Sequence, residues 1–256
     1  MISGRTRLIL LAGDPIGHTK GYAEYAAAIA AAGHDCAYLP AHVPAGRLED
    51  FLAGVVHLRN LAGVVCTIPH KQDAARIGRC DTAARRAGSA NLLRPDGAGG
   101  WEASMVDGAG FLAAASAAGL PLARRRVQLL GAGGAGRAVA MAIAGEGPAA
   151  LAIHDPDAVR AESLVGAVAA EFPGVPVQRH LGESEVLVNC SAIGMGSDDR
   201  LPCDAALIPG FVYDVVNRAD TPLMVAARAR GAVADHGYSM MAAQIPLVLR
   251  WMLERG

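Results

Sequence analysis

An α/β fold with two domains is what this sequence predicts, and three observations carry the prediction. Short apolar runs alternate with Ala-rich segments of helical period along almost the whole chain, the rhythm of βαβ units. In the second half, the apolar run 127–130 enters Gly131-Ala132-Gly133-Gly134-Ala135-Gly136, followed by an Ala-rich stretch and a second apolar run ending at Asp155. With 256 residues, the chain is long enough for one large domain or two modest ones.

Taken in order, residues 8–12 read as a strand, 22–32 as a helix, 36–39 as a strand, 47–58 as a helix and 63–66 as a strand. Each strand is a short, mainly apolar run, and the helices are longer. A short helix from His70 and another over 82–87 follow. Residues 89–94 and 101–105 flank the turn-rich Pro95-Asp96-Gly97-Ala98-Gly99-Gly100, which reads as a hairpin. A helix over 107–118 stops at Gly119-Leu120-Pro121, ahead of Arg124-Arg125-Arg126, and that stop reads as a hinge. Beyond the glycine motif, 175–177, 186–189 and 211–216 read as further strands, 222–230 as a helix and 233–235 as a short strand. The closing segment 239–254 is helical in period, with Pro246 expected to kink it or to end its first turn.

Bulk properties exclude several classes of function. A formal net charge of −1 provides no field for nucleic acid or anionic lipid. No run approaches the roughly 20 apolar residues of a membrane span. The apolar run at 8–11 is too short for a secretory signal. The five cysteines show no C-x-x-C spacing, and Cys36, Cys66 and Cys190 lie in apolar runs, so core thiols in a reducing cytoplasm are expected, with no structural zinc.

The glycine segment carries the most specific chemistry. Gly131 permits the tight turn off the strand, Gly133 lets backbone approach a pyrophosphate, and Gly136 lets the helix pack closely on the sheet. Gly134 and Ala135 open that helix, whose N-terminus presents N–H groups and positive dipole to an anion. Asp155 falls about 20 residues on, where a carboxylate accepts from the adenosine ribose hydroxyls. The pattern as a whole predicts a dinucleotide site.

Among the 23 basic residues only Lys20 and Lys71 are lysines. Arginine does not give up its proton at accessible pH, whereas a lysine ammonium can, so a lysine in an arginine-rich chain marks a candidate proton shuttle. Lys71 follows Thr67-Ile68-Pro69-His70, just after the buried-strand pattern of 63–66, although a surface lysine at a helix start fits the same place. Asp107 opens a helix, as an N-cap does. Asn91 and Gln244 are amides on otherwise apolar faces, where each needs a partner or a ligand.

In this order the motifs resemble those of the shikimate dehydrogenase family across essentially the entire chain. Residues 13–19 (G-D-P-I-G-H-T) are similar to its opening G-x-P-[IV]-x-H-S segment, and 63–71 (G-V-V-C-T-I-P-H-K) to G-x-N-V-T-x-P-x-K. Residues 84–91 resemble A-x-x-x-G-A-V-N, 104–111 resemble G-x-N-T-D-x-x-G-F, 189–195 resemble N-A-T-x-x-G-M, and 237–244 resemble G-x-x-M-L-x-x-Q. The resemblance implies that Lys71 is the catalytic lysine and Asp107 its acidic partner, that Asn91 and Gln244 bind substrate, and that Thr19, Thr67 and Tyr22 line the acid end of the substrate site. It further places Asn189, Ser191, Met195, Val216 and Gly237 beside the dinucleotide. It implies a substrate domain over 1–106 to which a final helix 237–256 returns, a doubly wound domain over 107–236 with a cleft between the two, and a monomer or homodimer acting on a small cyclic hydroxy compound in aromatic amino acid biosynthesis.

Several positions depart from the family's pattern. Gly21 stands where a second carboxylate-binding hydroxyl is usual, and Tyr22 replaces the proline that follows. Val65, Met105 and Val106 replace asparagine, asparagine and threonine, and the tyrosine usual near 214–217 is missing. The resemblance implies hydride transfer at the hydroxyl carbon of shikimate, quinate or a related cyclic hydroxy compound. Because the proton-transfer pair is kept while polar contacts are lost, a less polar or differently substituted ring alcohol fits the retained residues better than shikimate itself. His154-Asp155-Pro156 stands where members using NADP carry Asn-Arg-Thr, so NAD is the expected cofactor, since a carboxylate repels a 2′-phosphate. A methylene-tetrahydrofolate dehydrogenase-like enzyme and a catalytically silent NAD-binding sensor are the alternatives.

Overall fold

The computed structural model describes residues 2–17, 19–180 and 183–254. In chain order the elements are β1 (Arg7–Gly13), α1 (Tyr22–Ala31), β2 (Cys36–His42), α2 (Leu48–Val55), β3 (Leu61–Cys66), α3 (Lys71–Ile77), β4 (Arg79–Cys80), α4 (Thr82–Ala87), β5 (Leu92–Pro95), β6 (Trp101–Ser104) and α5 (Asp107–Ala117). They continue as β7 (Arg126–Leu130), α6 (Gly134–Gly145), β8 (Ala150–His154), α7 (Ala158–Glu171), β9 (Val177–Gln178), β10 (Val186–Asn189), a 3-10 turn at Ala205–Leu207, β11 (Phe211–Asp214), α8 (Pro222–Ala229), β12 (Val233–His236) and α9 (Gly237–Leu253). Two compact units result, one of residues 1–106 with 244–256 and the other of residues 107–243. The stop at Gly119 lies inside the second unit and marks no boundary. Among the described residues, no helix is long and apolar enough to cross a membrane.

The first unit holds a six-stranded mixed sheet in the order β2-β1-β3-β5-β6-β4. β1 pairs parallel with β2 and β3, while β3, β5 and β6 pair antiparallel, so the 92–104 hairpin forms as its turn residues predict. All six residues of β3 are buried, which is why that strand reads as a continuous apolar run rather than an alternating one. The core joins Ile9, Leu11 and Leu92 to Ile245, Val248, Leu249 and Met252 on the last helix.

α9 runs through Pro246 instead of ending there. Ala242 and Pro246 both face outward, so the carbonyl that loses its donor at the proline is open to water. Its C-terminal carbonyls are closed by arginines far away in sequence. Arg7 donates to the carbonyls of Met252 (3.0 Å) and Leu253 (3.2 Å), and Arg94 donates to that of Trp251 (2.7 Å) while its guanidinium lies 4.5 Å over the Trp251 ring. These cations satisfy orphan helix-end acceptors and oppose the negative end of the dipole. Arg94→Met is expected to cost about 2–3 kcal/mol, and hence to lower the melting temperature by roughly 4–12 °C in a thermal melt; an unchanged Tm would show that the cap contributes nothing.

The second unit holds a six-stranded parallel sheet, ordered β12-β11-β10-β7-β8-β9. This is the doubly wound arrangement, with β7-α6-β8-α7-β9 forming one half and β10, β11, α8 and β12 the other. The halves meet between β7 and β10, and a 3-10 turn stands in place of a helix between β10 and β11. Val127, Leu129, Leu151, Ile153, Val186 and Val188 are fully buried at its centre, against Phe111, Val139, Ile143, Leu164 and Val168 from the covering helices. Burial of each such side chain contributes about 1.5–3 kcal/mol.

Candidate active site

In the first unit, the candidate residues stand at the ends of the central strands. Thr67 follows β3, with its N–H bonded to the carbonyl of Ala12 (2.9 Å) and its carbonyl accepting from His70 (2.8 Å). That turn delivers Lys71 to the first position of α3. His70 is completely buried and anchors the helix start by a 2.8 Å hydrogen bond between Nε2 and the carbonyl of Val43. The carbonyl of Lys71 accepts from Ala90 (2.8 Å), which brings the backbone of Asn91 alongside. Asn91 is 3% exposed, and its Oδ1 accepts from the N–H of Val106 at 3.0 Å. Lys71 is half-buried, as are Thr19, Tyr22 and Gln244. Tyr22 opens α1 with its ring 5.8 Å from that of Tyr38, which stacks on Tyr25 at 3.9 Å. His18 lies outside the described residues.

Burial pushes the Cys66 thiol up to about 12, so it stays protonated at neutral pH and is no nucleophile. Met105 and Val106 are buried, as is Val65, so the apolar replacements line the interior rather than the surface.

In the second unit, Asp107 opens α5 at 2% exposure. The glycine segment forms the strand-to-helix turn that its spacing predicts. Gly131 sits at φ 97°, and a Cβ there would lie 2.7 Å from the backbone of Cys190. A Cβ on Gly136 would lie 1.9 Å from the carbonyl oxygen of Gly131, whereas a Cβ on Gly133 would meet nothing within 4 Å. Two glycines are thus demanded by the protein's own packing, and the third faces open space at a helix start that has no side-chain cap. Gly134 and Ala135 form the first turn of α6 and are half-buried. Such a turn fits the pyrophosphate of a dinucleotide.

At the ends of β10, β11 and β12 lie the remaining cofactor candidates. Asn189 is fully buried, its amide donating to Asp214 (2.9 Å) and to the carbonyl of Ile193 (3.3 Å), and its Oδ1 accepting from Ser191 N (3.1 Å) and Oγ (2.7 Å). Met195 follows in the same loop, its N–H bonded to Ala192 (3.1 Å). Val216 is 8% exposed, and its carbonyl accepts from Gly237 (3.2 Å). Two buried polar residues in this region, Asp214 and Thr221, escape the motif reading. An acid ending the apolar run Phe211-Val212-Tyr213, followed by a Thr-Pro helix start, is the signal that points to them.

A family model for the shikimate dehydrogenase substrate binding domain matches residues 11–93. The chain is 36% identical to the shikimate dehydrogenase (NADP(+)) of Rubrobacter xylanophilus, over 95% of this chain and 89% of the relative. Among solved structures it resembles shikimate 5-dehydrogenase from Thermus thermophilus in complex with NADP(H) and shikimate (28% identity, TM-score 0.84, 97% and 94% covered). It also resembles the ligand-free 5-ketofructose reductase of Gluconobacter sp. strain CHM43 (27% identity, TM-score 0.82, 99% and 95% covered).

The expectation of NAD is corrected by these comparisons. The Rubrobacter relative is an NADP(+) enzyme by name, and so are further relatives at 34–35% identity. The physical reason lies in how Asp155 is used. Its Oδ2 accepts from the N–H of Ala132 (2.7 Å) and its Oδ1 from that of Asp157 (2.9 Å), so the carboxylate braces the glycine loop and the start of the next turn. A charge spent on two backbone donors is a poor guide to which ribose substituent is accepted. On fold, motifs and full-length similarity together, the chain belongs to the shikimate dehydrogenase family, the NAD(P)-dependent oxidoreductases that act on a CH–OH group.

Proposed function

We propose that the reaction is reversible hydride transfer between NADP+ and the carbinol carbon of shikimate or a related cyclic hydroxy compound, with the first unit holding substrate and the second the dinucleotide. The observation that carries this reading is the substrate-domain match over residues 11–93, which contains Thr19, Thr67, Lys71 and Asn91, while the glycine turn lies in the other unit. NADP+ supplies the nicotinamide carbon that takes up the hydride. Lys71 accepts the hydroxyl proton at Nζ as the alcohol becomes a ketone and returns it in the reverse direction, with Asp107 as its acidic partner. Asn91 and Gln244 hold other ring hydroxyls, and Thr19, Thr67 and Tyr22 line the acid end. Five free thiols suit a reducing compartment, the cytoplasm.

A second reading, a ring substrate without a carboxylate, is favoured by the conformation of Gly21. Its φ of 100° is one that L side chains rarely adopt, so a hydroxyl-bearing residue there is disfavoured by the backbone as well as absent from the sequence. The likeness to 5-ketofructose reductase, whose substrate name carries no carboxylate, supports the same reading.

Initial rates of NADP+ reduction with shikimate, quinate and an uncharged cyclic polyol decide between the two. Turnover of shikimate or quinate supports the first reading, and turnover of the polyol alone supports the second. Tight NADPH binding with no turnover of any of the three would overturn both and favour a silent nucleotide sensor.

A further inference from the structure

One fully buried carboxylate in the second unit has no part in the chemistry above. Asp214 ends β11 at 0% exposure. Its Oδ1 accepts from the side chain of Asn189 (2.9 Å) and the N–H of Val216 (3.2 Å), and its Oδ2 accepts from the hydroxyl of Thr221 (2.6 Å). Thr221 is itself fully buried and uses its oxygen to cap α8 through the N–H of Met224 (3.2 Å). Asn189 fixes the loop after β10 through Ser191 and Ile193, and its carbonyl accepts from Val215 (2.8 Å). Val216 in turn holds Gly237 at the start of α9. One side chain thereby ties the loops after β10 and β11 to each other and, through Val216, to the turn after β12. Burial raises the Asp214 pKa while its three donors pull it back, as expected of a carboxylate kept in the interior for the bonds it accepts.

The place of these loops in the sheet gives the network a task. The β7-β8-β9 half carries the glycine turn, the feature that serves the pyrophosphate and adenosine side of a dinucleotide. The β10-β11-β12 half is the other mononucleotide half, and ligands bind beyond the carboxyl ends of its strands, where Asp214 sits. We propose that Asp214 is a positioning residue for the nicotinamide half of the cofactor, setting the loops at 190–196 and 215–221 in register with one another through Asn189 and Thr221. The proposal rests on the reading of the second unit as the dinucleotide-binding one.

Titrations with two probes separate positioning from a general brace. NADPH spans both halves of the site, and 2′,5′-ADP reaches only the adenosine half. Asp214→Asn keeps the shape but sets an amide N–H2 among donors; Thr221→Val removes one donor, and Thr221→Ser restores it. For Asp214→Asn and Thr221→Val, the Kd of NADPH is expected to rise about tenfold, the value of one hydrogen bond to a charged group, with kcat reduced. The Kd of 2′,5′-ADP should stay within about twofold, because no adenosine-side contact is altered, and Thr221→Ser should behave as the parent does. Equal weakening of both probes, or unchanged NADPH binding, would overturn the proposal. If Asp214→Asn does not fold, the Thr221→Val and Thr221→Ser pair decides by the same criteria. A parent protein that binds neither probe would instead remove the cofactor reading on which the proposal stands.

Discussion

Lys71→Ala is expected to lower kcat by about 10²-fold or more while leaving the fold intact, because general acid–base catalysis by a placed side chain is worth that much. The fold should survive since Lys71 contributes its backbone to the site's framework and its side chain is only half-buried. The bond from Ala90 goes to the Lys71 carbonyl, and the preceding turn is anchored by His70. Lys71→Arg sharpens the test. Arginine keeps the charge and most of the length but does not release its proton, so a purely electrostatic role is restored by it and a proton-transfer role is not. Initial-rate kinetics with circular dichroism on all three proteins measure this. If Lys71→Arg recovers most of the parent kcat, or Lys71→Ala loses only a few-fold, the proton is carried by another group.

The chain's legibility follows the range over which each feature acts. Local patterns were readable, because strands such as β3 are apolar along their whole length and turn residues punctuate the chain between elements. The glycine turn was readable because its spacing is written within residues 131–136, even though the backbone that crowds Gly131 belongs to Cys190. Features made by distant partners were not. The arginine caps on α9 join residues 7 and 94 to residues 251–253, and no pattern near either end announces them. The two-residue strand β4 is too short to carry a period. Asp155 shows a different limit. A carboxylate after the second strand of a nucleotide fold looks the same in sequence whether it faces a ribose or turns back onto Ala132 and Asp157. Asp214 and Thr221 were hidden because polar residues read as surface until a fold buries them together.

Gly136→Ala tests the dinucleotide turn itself and is expected to abolish NADPH binding. The added methyl would stand 1.9 Å from the carbonyl oxygen of Gly131 and within 3.4 Å of the Cys190 side chain. The first neighbour is backbone and cannot rotate away, so either the turn opens or α6 lifts from the sheet. Forced overpacking of a tight site costs about 1–3 kcal/mol, which for a protein of this size lowers Tm by roughly 2–12 °C. The binding loss should exceed that, because pyrophosphate recognition depends on where the first-turn N–H groups of α6 point. Gly133→Ala provides the contrast. Its methyl meets no protein atom within 4 Å, so the fold should hold its melting temperature while the methyl occupies the approach of the phosphate. Melting curves and NADPH titrations of both variants separate the two roles: Gly136→Ala should lose stability and binding together, and Gly133→Ala should lose binding alone. Full NADPH affinity in Gly133→Ala would mean that the dinucleotide does not cross this turn, and the cofactor site would have to be sought elsewhere in the fold.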